Sequence, residues 1–177
     1  MQYLTTLTNI DATLKFARQI AESIVPNLVI ALRGDLGSGK TTLIRGVLQQ
    51  LGVSGTIKSP TYTIVEPYAI HDLHIYHFDL YRFNAAHEWL DGGFDEYLTS
   101  GGICFIEWAE KAQGLISPLD WQLKISLNNS YSHEIDDDVG HAIMDNHNMD
   151  QARLIEINSM SIKGKECLQK LMKYAAV

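Results

Sequence analysis

The sequence predicts an α/β fold, a three-layer sandwich with a mixed central sheet between two layers of helix. Three observations carry that expectation. Uniformly apolar runs of strand length recur along the chain, stretches with apolar residues at three-to-four spacing lie between them, and a glycine-rich turn joins one such run to one such stretch.

Asn9 or Asp11 can cap a first helix whose apolar residues Leu14, Ala17, Ile20, Ala21 and Ile24 share a face, and Pro26 ends it. Leu28-Val29-Ile30-Ala31-Leu32 is continuously apolar, as a central strand covered on both faces should be. Beyond the glycine turn, Leu43, Val47, Leu48 and Leu51 mark a second helix, with Gly52 placed to end it. Thr61 to Ala69 and Leu73 to Leu80 favour strands. The Ile70-His71-Asp72 link between them is short enough for an antiparallel hairpin, which makes the sheet mixed. Residues 84 to 98 read as helix broken at Gly92-Gly93, and Ile103 to Glu107 reads as another buried strand. Trp121 to Leu127 and Leu154 to Ile157 complete the strands, and Ser161 to Tyr174 closes the chain as a helix.

No repeat or linker interrupts the 177 residues, so 1–177 reads as a single domain. A chain of this length buries roughly 70% of its unfolded surface without disulfides or a structural metal. The 128–150 stretch contains Asp136-Asp137-Asp138, three histidines and little apolar periodicity, and reads as an exposed insertion. Its carboxylates and histidines match neither EF-hand nor zinc spacing, which makes it a solvated acidic loop.

A net charge of −7 with no Lys/Arg run argues against the isolated chain holding nucleic acid by phosphate neutralisation. Any RNA chemistry would need a partner to hold the RNA. The start lacks a basic segment followed by an apolar one, and nowhere do about 18 apolar residues run together. The expected setting is therefore the cytoplasm, with no membrane contact. Cys104 and Cys167 have neither metal-motif nor disulfide spacing.

Gly34-Asp35-Leu36-Gly37-Ser38-Gly39-Lys40-Thr41 matches G-x-x-x-x-G-K-[ST] at every fixed position, after a predicted strand and before a predicted helix. The fixed positions would coincide by chance in about 1% of chains this long, before the strand-loop-helix context is required. Glycines let successive N–H groups converge on phosphate oxygens, and a helix N-terminus adds favourable partial charge. Gly37, Ser38 and Gly39 are thus expected around the phosphates, Lys40 on the β and γ phosphates, and Thr41 on Mg²⁺. The fold expected is accordingly P-loop NTPase-like.

Such a metal needs a carboxylate at a neighbouring strand end, in contact or through water. Asp79 ends Ile75-Tyr76-His77-Phe78, and Glu107 ends Ile103-Cys104-Phe105-Ile106; the latter strand is the more uniformly apolar, so Glu107 is the better candidate and Asp79 can share the task. Lys58-Ser59-Pro60-Thr61-Tyr62-Thr63 lies between loop and acids, stiffened by Pro60, and is either a γ-phosphate sensor or an ordinary strand entry. His71, His74 and His77 do not form a metal site, because on a strand His74 and His77 face opposite sides. Asp91, Asp95 and Glu96 read as helix surface.

Together, Gly-Asp-Leu-Gly-Ser-Gly-Lys-Thr-Thr at 34–42, Lys-Ser-Pro-Thr-Tyr-Thr at 58–63, His-Phe-Asp-Leu-Tyr-Arg at 77–82 and Ile-Glu-Trp at 106–108 closely resemble the bacterial TsaE (YjeE) family. The resemblance runs from about residue 8 to about residue 127, and the sequence departs from the family pattern at 128–150. It implies the ATPase component of tRNA threonylcarbamoyladenosine synthesis, working with TsaB and TsaD, which modify adenosine 37 of tRNAs reading codons that begin with A. On the matching positions it implies phosphate binding by Lys40, Mg²⁺ binding by Thr41 and Glu107, support from Asp79, and a switch-like role for Ser59 to Tyr62. Trp108 is similar to a tryptophan beside the nucleotide, or is buried packing. Thr42 near the phosphates, Thr8 near adenine and Arg153 near the nucleotide complete the implied set.

Two further classes were open to this sequence. A small-molecule P-loop kinase should bring clustered phosphate-facing arginines, whereas Arg33, Arg45, Arg82 and Arg153 are scattered. A non-catalytic nucleotide sensor would bind without turnover. Guanine specificity is not indicated, since no Asn-Lys-x-Asp occurs.

Overall fold

The computed structural model describes residues 1–128 and 152–175. Its seven strands are β1 (Gln2–Leu7), β2 (Val29–Arg33), β3 (Val65–Ile70), β4 (Leu73–Asp79), β5 (Ile103–Glu107), β6 (Trp121–Leu127) and β7 (Arg153–Ser159). The helices are α1 (Ile10–Ser23), α2 (Lys40–Leu51), the single turn α3 (Glu88–Asp91) and α4 (Ile162–Ala175). The strands form one sheet in the order β1-β7-β6-β2-β5-β4-β3. β2, β4, β5 and β6 are mutually parallel at its centre, and β3, β7 and β1 add antiparallel flanks.

The two faces of the sheet explain its apolar runs. On one face, Ile30, Leu32, Ile75, Phe105 and Leu123 pack against Phe16 and Ile20 of α1, Leu43 and Val47 of α2, and Leu168 and Leu171 of α4. On the other, Val29, Ala31, Phe78, Cys104 and Ile106 meet Leu80, Phe83, Trp89 and Leu98. Each fully buried Leu, Ile or Phe contributes roughly 2 kcal/mol, so β2, covered on both sides, anchors both layers. Cys104 and Cys167 are buried free thiols, and burial pushes Cys104 up to about 12.

Most predicted elements are present within a residue or two. Asn9 caps α1 by accepting the Ala12 N–H at 2.9 Å, and Gly52 ends α2 at φ 106°. The helix expected over 84–98 is shortened to the single turn α3, which begins at Glu88, and a 3₁₀ turn at Phe94–Thr99, with Gly92-Gly93 between them. Three expectations need correction. Leu14, counted on the buried face of α1, is 41% exposed, and Phe16 takes that place. Thr61 to Ile64 is a turn rather than the start of a strand, because Thr61 is engaged in a side-chain network described below. Gln2–Leu7, given no element above, is an edge strand paired with β7 throughout its length. The predicted insertion at 128–150 lies outside the described residues except for Asn128.

Candidate functional site

β2 and α2 meet at the glycine loop. Gly34 adopts φ 143°, and a Cβ there would fall 2.2 Å from the Ile125 carbonyl oxygen of β6; Gly39, at φ 105°, occupies the N-cap position of α2 without a side-chain cap. Both conformations are ones glycine takes at little cost and other residues resist. A capping side chain would occupy the N-terminal donors of α2; its absence leaves the positive end of the helix facing the cleft. The Lys40 side chain, 4% exposed, turns back over the loop and donates to the carbonyls of Gly34 at 2.7 Å and Asp35 at 3.0 Å. Burial holds its ammonium below the usual lysine range, against the opposing pull of Glu107, Glu110, Asp79 and Asp35.

The parallel register of β4 and β5 places Asp79 beside Glu107 at the carboxyl ends of their strands. Ligands bind at this end of open α/β sheets. Thr41, at the start of α2, donates its hydroxyl to Glu107 at 2.7 Å from Oε1 and 3.0 Å from Oε2. Asp79 accepts the Thr61 hydroxyl at 2.6 Å and the Tyr81 N–H at 2.9 Å, and Ser59 lies 2.9 Å from Thr61. The Ser59–Thr61 loop is therefore tied to the second carboxylate, a link that explains its turn conformation. Tyr62, 82% exposed, stacks beneath the Arg82 guanidinium at 4.2 Å.

These groups surround a cleft of about 350 Å³ lined by Gly37, Gly39, Lys40, Thr41, Thr42, Ser59, Thr61, Asp79, Tyr81, Glu107 and Trp108. Trp108 sits at φ 58° just past β5, its ring 4.0 Å from Lys40 Nζ and 5.2 Å from the Tyr81 ring. A second recess of about 130 Å³ adjoins it through Gly39 and Thr42 and is walled by Ile10, Thr13 and Arg153. A purely apolar crevice beneath α2, lined by Leu43 and Phe105, holds only about 10 Å³ and is a packing defect rather than a site.

The oxygen set suits Mg²⁺. One hydroxyl and one carboxylate meet here with a second carboxylate in the adjacent register, which leaves coordination positions for phosphate oxygens and water. Among the described residues no group of three His, Cys, Asp or Glu side chains is placed to hold a metal alone.

The family model described as threonylcarbamoyl adenosine biosynthesis protein TsaE matches residues 7–135. The chain belongs to the TsaE family. A TsaE protein of Haemophilus influenzae is 46% identical over 112 residues, covering 60% of this chain and 71% of the relative. One from Rickettsia felis is 38% identical over 113 residues, covering 63% and 66% respectively. Both bear the name tRNA threonylcarbamoyladenosine biosynthesis protein TsaE. The crystal structure of YdiB from Bacillus subtilis aligns over 99% of this chain and 97% of its own at a TM-score of 0.70 and 24% identity, which speaks to fold. The architecture is α/β and P-loop NTPase-like.

In this TsaE-family chain the residues singled out from sequence fall into three groups. Gly37, Gly39, Lys40, Thr41, Thr42, Asp79, Glu107 and Trp108 line the main cleft, and Ser38 is buried within the loop. Arg153 reaches the loop from β7, donating from Nε to the Ser38 carbonyl at 3.0 Å, and lines the second recess. Thr8 is exposed, two residues before Ile10, and is not among that recess's walls. Sequence reasoning missed two contacts. The Thr61–Asp79 bond shows no local signal, and His77, set aside with the other histidines as no metal ligand, is buried against Glu107.

Proposed function

We propose that this chain binds ATP with Mg²⁺ and hydrolyses it in the cytoplasm, as a component required for threonylcarbamoyl modification of adenosine 37 in tRNAs reading codons that begin with A. It acts on a TsaB–TsaD complex and does not transfer the group itself. The observation that carries this reading is the facing of the glycine loop, with Lys40 and Thr41, by Asp79 and Glu107 across one cleft. Membership of a family named for threonylcarbamoyladenosine biosynthesis supplies the pathway. No described helix is long and apolar enough to cross a membrane. The net charge of −7 supports contact with tRNA through the partner complex.

On this reading the N–H groups of Gly37, Ser38 and Gly39 and the start of α2 receive phosphate oxygens, Lys40 leaves the Gly34 and Asp35 carbonyls for the β and γ phosphates, and Thr42 assists. Thr41 and Glu107 hold the metal, with Asp79 supporting it or its water. Held there, Mg²⁺ would supply charge neutralisation at the phosphates. Glu107 is also placed to orient an attacking water. Arg153 walls the recess that takes the nucleoside, and the segment around Thr8 contacts adenine from outside those walls. The Ser59–Thr61 loop follows the γ-phosphate through Asp79, so that hydrolysis releases it and alters affinity for the partners.

A small-molecule kinase is less well supported, because three of the four arginines named above are engaged away from the loop. Arg33 lies 4.0 Å from Glu110, Arg45 donates to the Ile57 carbonyl at 3.1 Å, and Arg82 covers Tyr62. Calorimetry with ATP and ADP, followed by ATP turnover and tRNA modification with TsaB, TsaD and threonylcarbamoyl-adenylate, tests the proposal. Binding that Lys40→Ala weakens, with turnover rising when the partners are added, is expected. No heat with either nucleotide overturns the ATPase reading; tight binding with no turnover in the full mixture supports a sensor instead. Hydrogen exchange over residues 58–63 should slow with an ATP analogue and not with ADP, and equal protection removes the switch.

A further inference from the structure

His77 is completely buried, yet neither neighbouring strand nor helix explains why an imidazole stands there. In β4 it lies two residues before Asp79 and on the same face, opposite Phe105 in the register with β5. Its Nε2 is 2.9 Å from Glu107 Oε1, while its Nδ1 is buried without a hydrogen-bond partner among the described residues. A proton on Nδ1 would be a buried donor with nothing to receive it. The proton therefore belongs on Nε2, where Glu107 accepts it.

The two oxygens of Glu107 are consequently held unequally. Among the described residues, Oε1 accepts from both Thr41 and His77, whereas Oε2 has Thr41 alone, at 3.0 Å. When the Thr41 hydroxyl turns to another partner, His77 is the remaining restraint on the carboxylate among these contacts. We infer that His77 is a positioning residue: its Nε2–H pins Oε1 so that Oε2 stays aimed into the cleft while Thr41 is engaged by ligand. This inference rests on the nucleotide reading above and adds to it a residue that touches neither substrate nor metal.

Three variants separate the alternatives. His77→Leu removes the donor, His77→Asn keeps an amide too short to reach, and His77→Gln returns an N–H near the Nε2 position. In folded protein assayed with its partner complex, His77→Leu and His77→Asn should lower the turnover number roughly tenfold, with KM for ATP within about twofold. Both should raise several-fold the Mg²⁺ concentration needed for tight ADP binding, read by calorimetry without turnover. His77→Gln should recover most of each loss, and neither loss should add to that of Glu107→Gln. The ¹⁵N shifts of the His77 ring should report the Nε2–H tautomer.

Wild-type-like turnover and Mg²⁺ dependence in a folded His77→Leu or His77→Asn protein overturn the inference and leave the ATPase reading intact. So do losses fully additive with Glu107→Gln, or an Nδ1–H tautomer. If His77→Leu fails to fold, His77→Asn and the ring shifts decide the matter. Absence of nucleotide binding by the wild type overturns both readings.

Discussion

Glu107 and Asp120 are each 2% exposed, but they sit at opposite ends of the parallel strands and keep different company. Asp120, just before β6, accepts the Val29 N–H at 2.9 Å and the Ser161 hydroxyl, and lies 3.1 Å from the Lys163 ammonium. Lys163 also donates to the Asn27 carbonyl. These contacts join the entry of β2, the entry of β6 and the first turn of α4. Glu107, at the exit of β5, has a hydroxyl and an imidazole for partners, a second carboxylate next to it in register, and a cleft in front. A buried acid that is closed off by a backbone donor, a hydroxyl and a cation holds the fold together. One held by a hydroxyl and an imidazole beside a second carboxylate, with an open cleft in front, is available for chemistry.

The largest effect expected from this contrast is catalytic. Glu107→Gln keeps the shape but removes the charge that would hold a metal or orient water, so ATP turnover with the partner complex should fall about a hundredfold or more. The melting temperature should change little, since relief of the neighbouring Asp79 offsets the lost attraction for Lys40. A clear drop in thermal stability, or normal turnover, would erase the distinction between the two acids. Asp120→Ala should behave in the opposite way. Losing the acceptor of the buried Val29 N–H together with the partner of Lys163 costs about 3 kcal/mol, and in a chain of this size that lowers the melting temperature by roughly 10 °C. Calorimetric affinity of the folded protein for ADP should stay within about twofold.

The same contrast shows what could be read from the chain beforehand. The glycine loop, Lys40 and Thr41 were legible because the chemistry is contiguous: eight successive residues make the turn, the charge and the hydroxyl. Asp79 and Glu107 were legible because each follows a strongly apolar strand, and parallel pairing then sets them side by side. Asp120 gave no such signal. Its partners lie 91 and 41 residues away, and an Asp before a strand is ordinary turn chemistry. His77 was judged against the histidines nearest in sequence, whereas its partner is 30 residues distant on the next strand. The edge strand Gln2–Leu7 was missed because its pairing partner, β7, lies at the far end of the chain. Thr61 was assigned to a strand on propensity, and a side-chain bond to Asp79 overrode it.

The smallest effect gives the finest test, because it removes one hydroxyl from each acid. Ser161 donates to Asp120 and accepts the Gly164 N–H at 2.9 Å, so it serves as a cap for α4 as well as a brace for the acid. Ser161→Ala should cost about 1 kcal/mol, in line with other lost caps, and leave ADP affinity alone. Thr41 also stands in the first turn of its helix, but its hydroxyl points at Glu107 and the cleft. Thr41→Val should therefore leave the melting temperature nearly unchanged while raising the Mg²⁺ needed for tight ADP binding. Equal stability losses from the two substitutions would mean that Glu107 is a structural acid of the same kind as Asp120. Opposite outcomes follow if one hydroxyl is there to close the fold and the other is on loan from the carboxylate to a ligand.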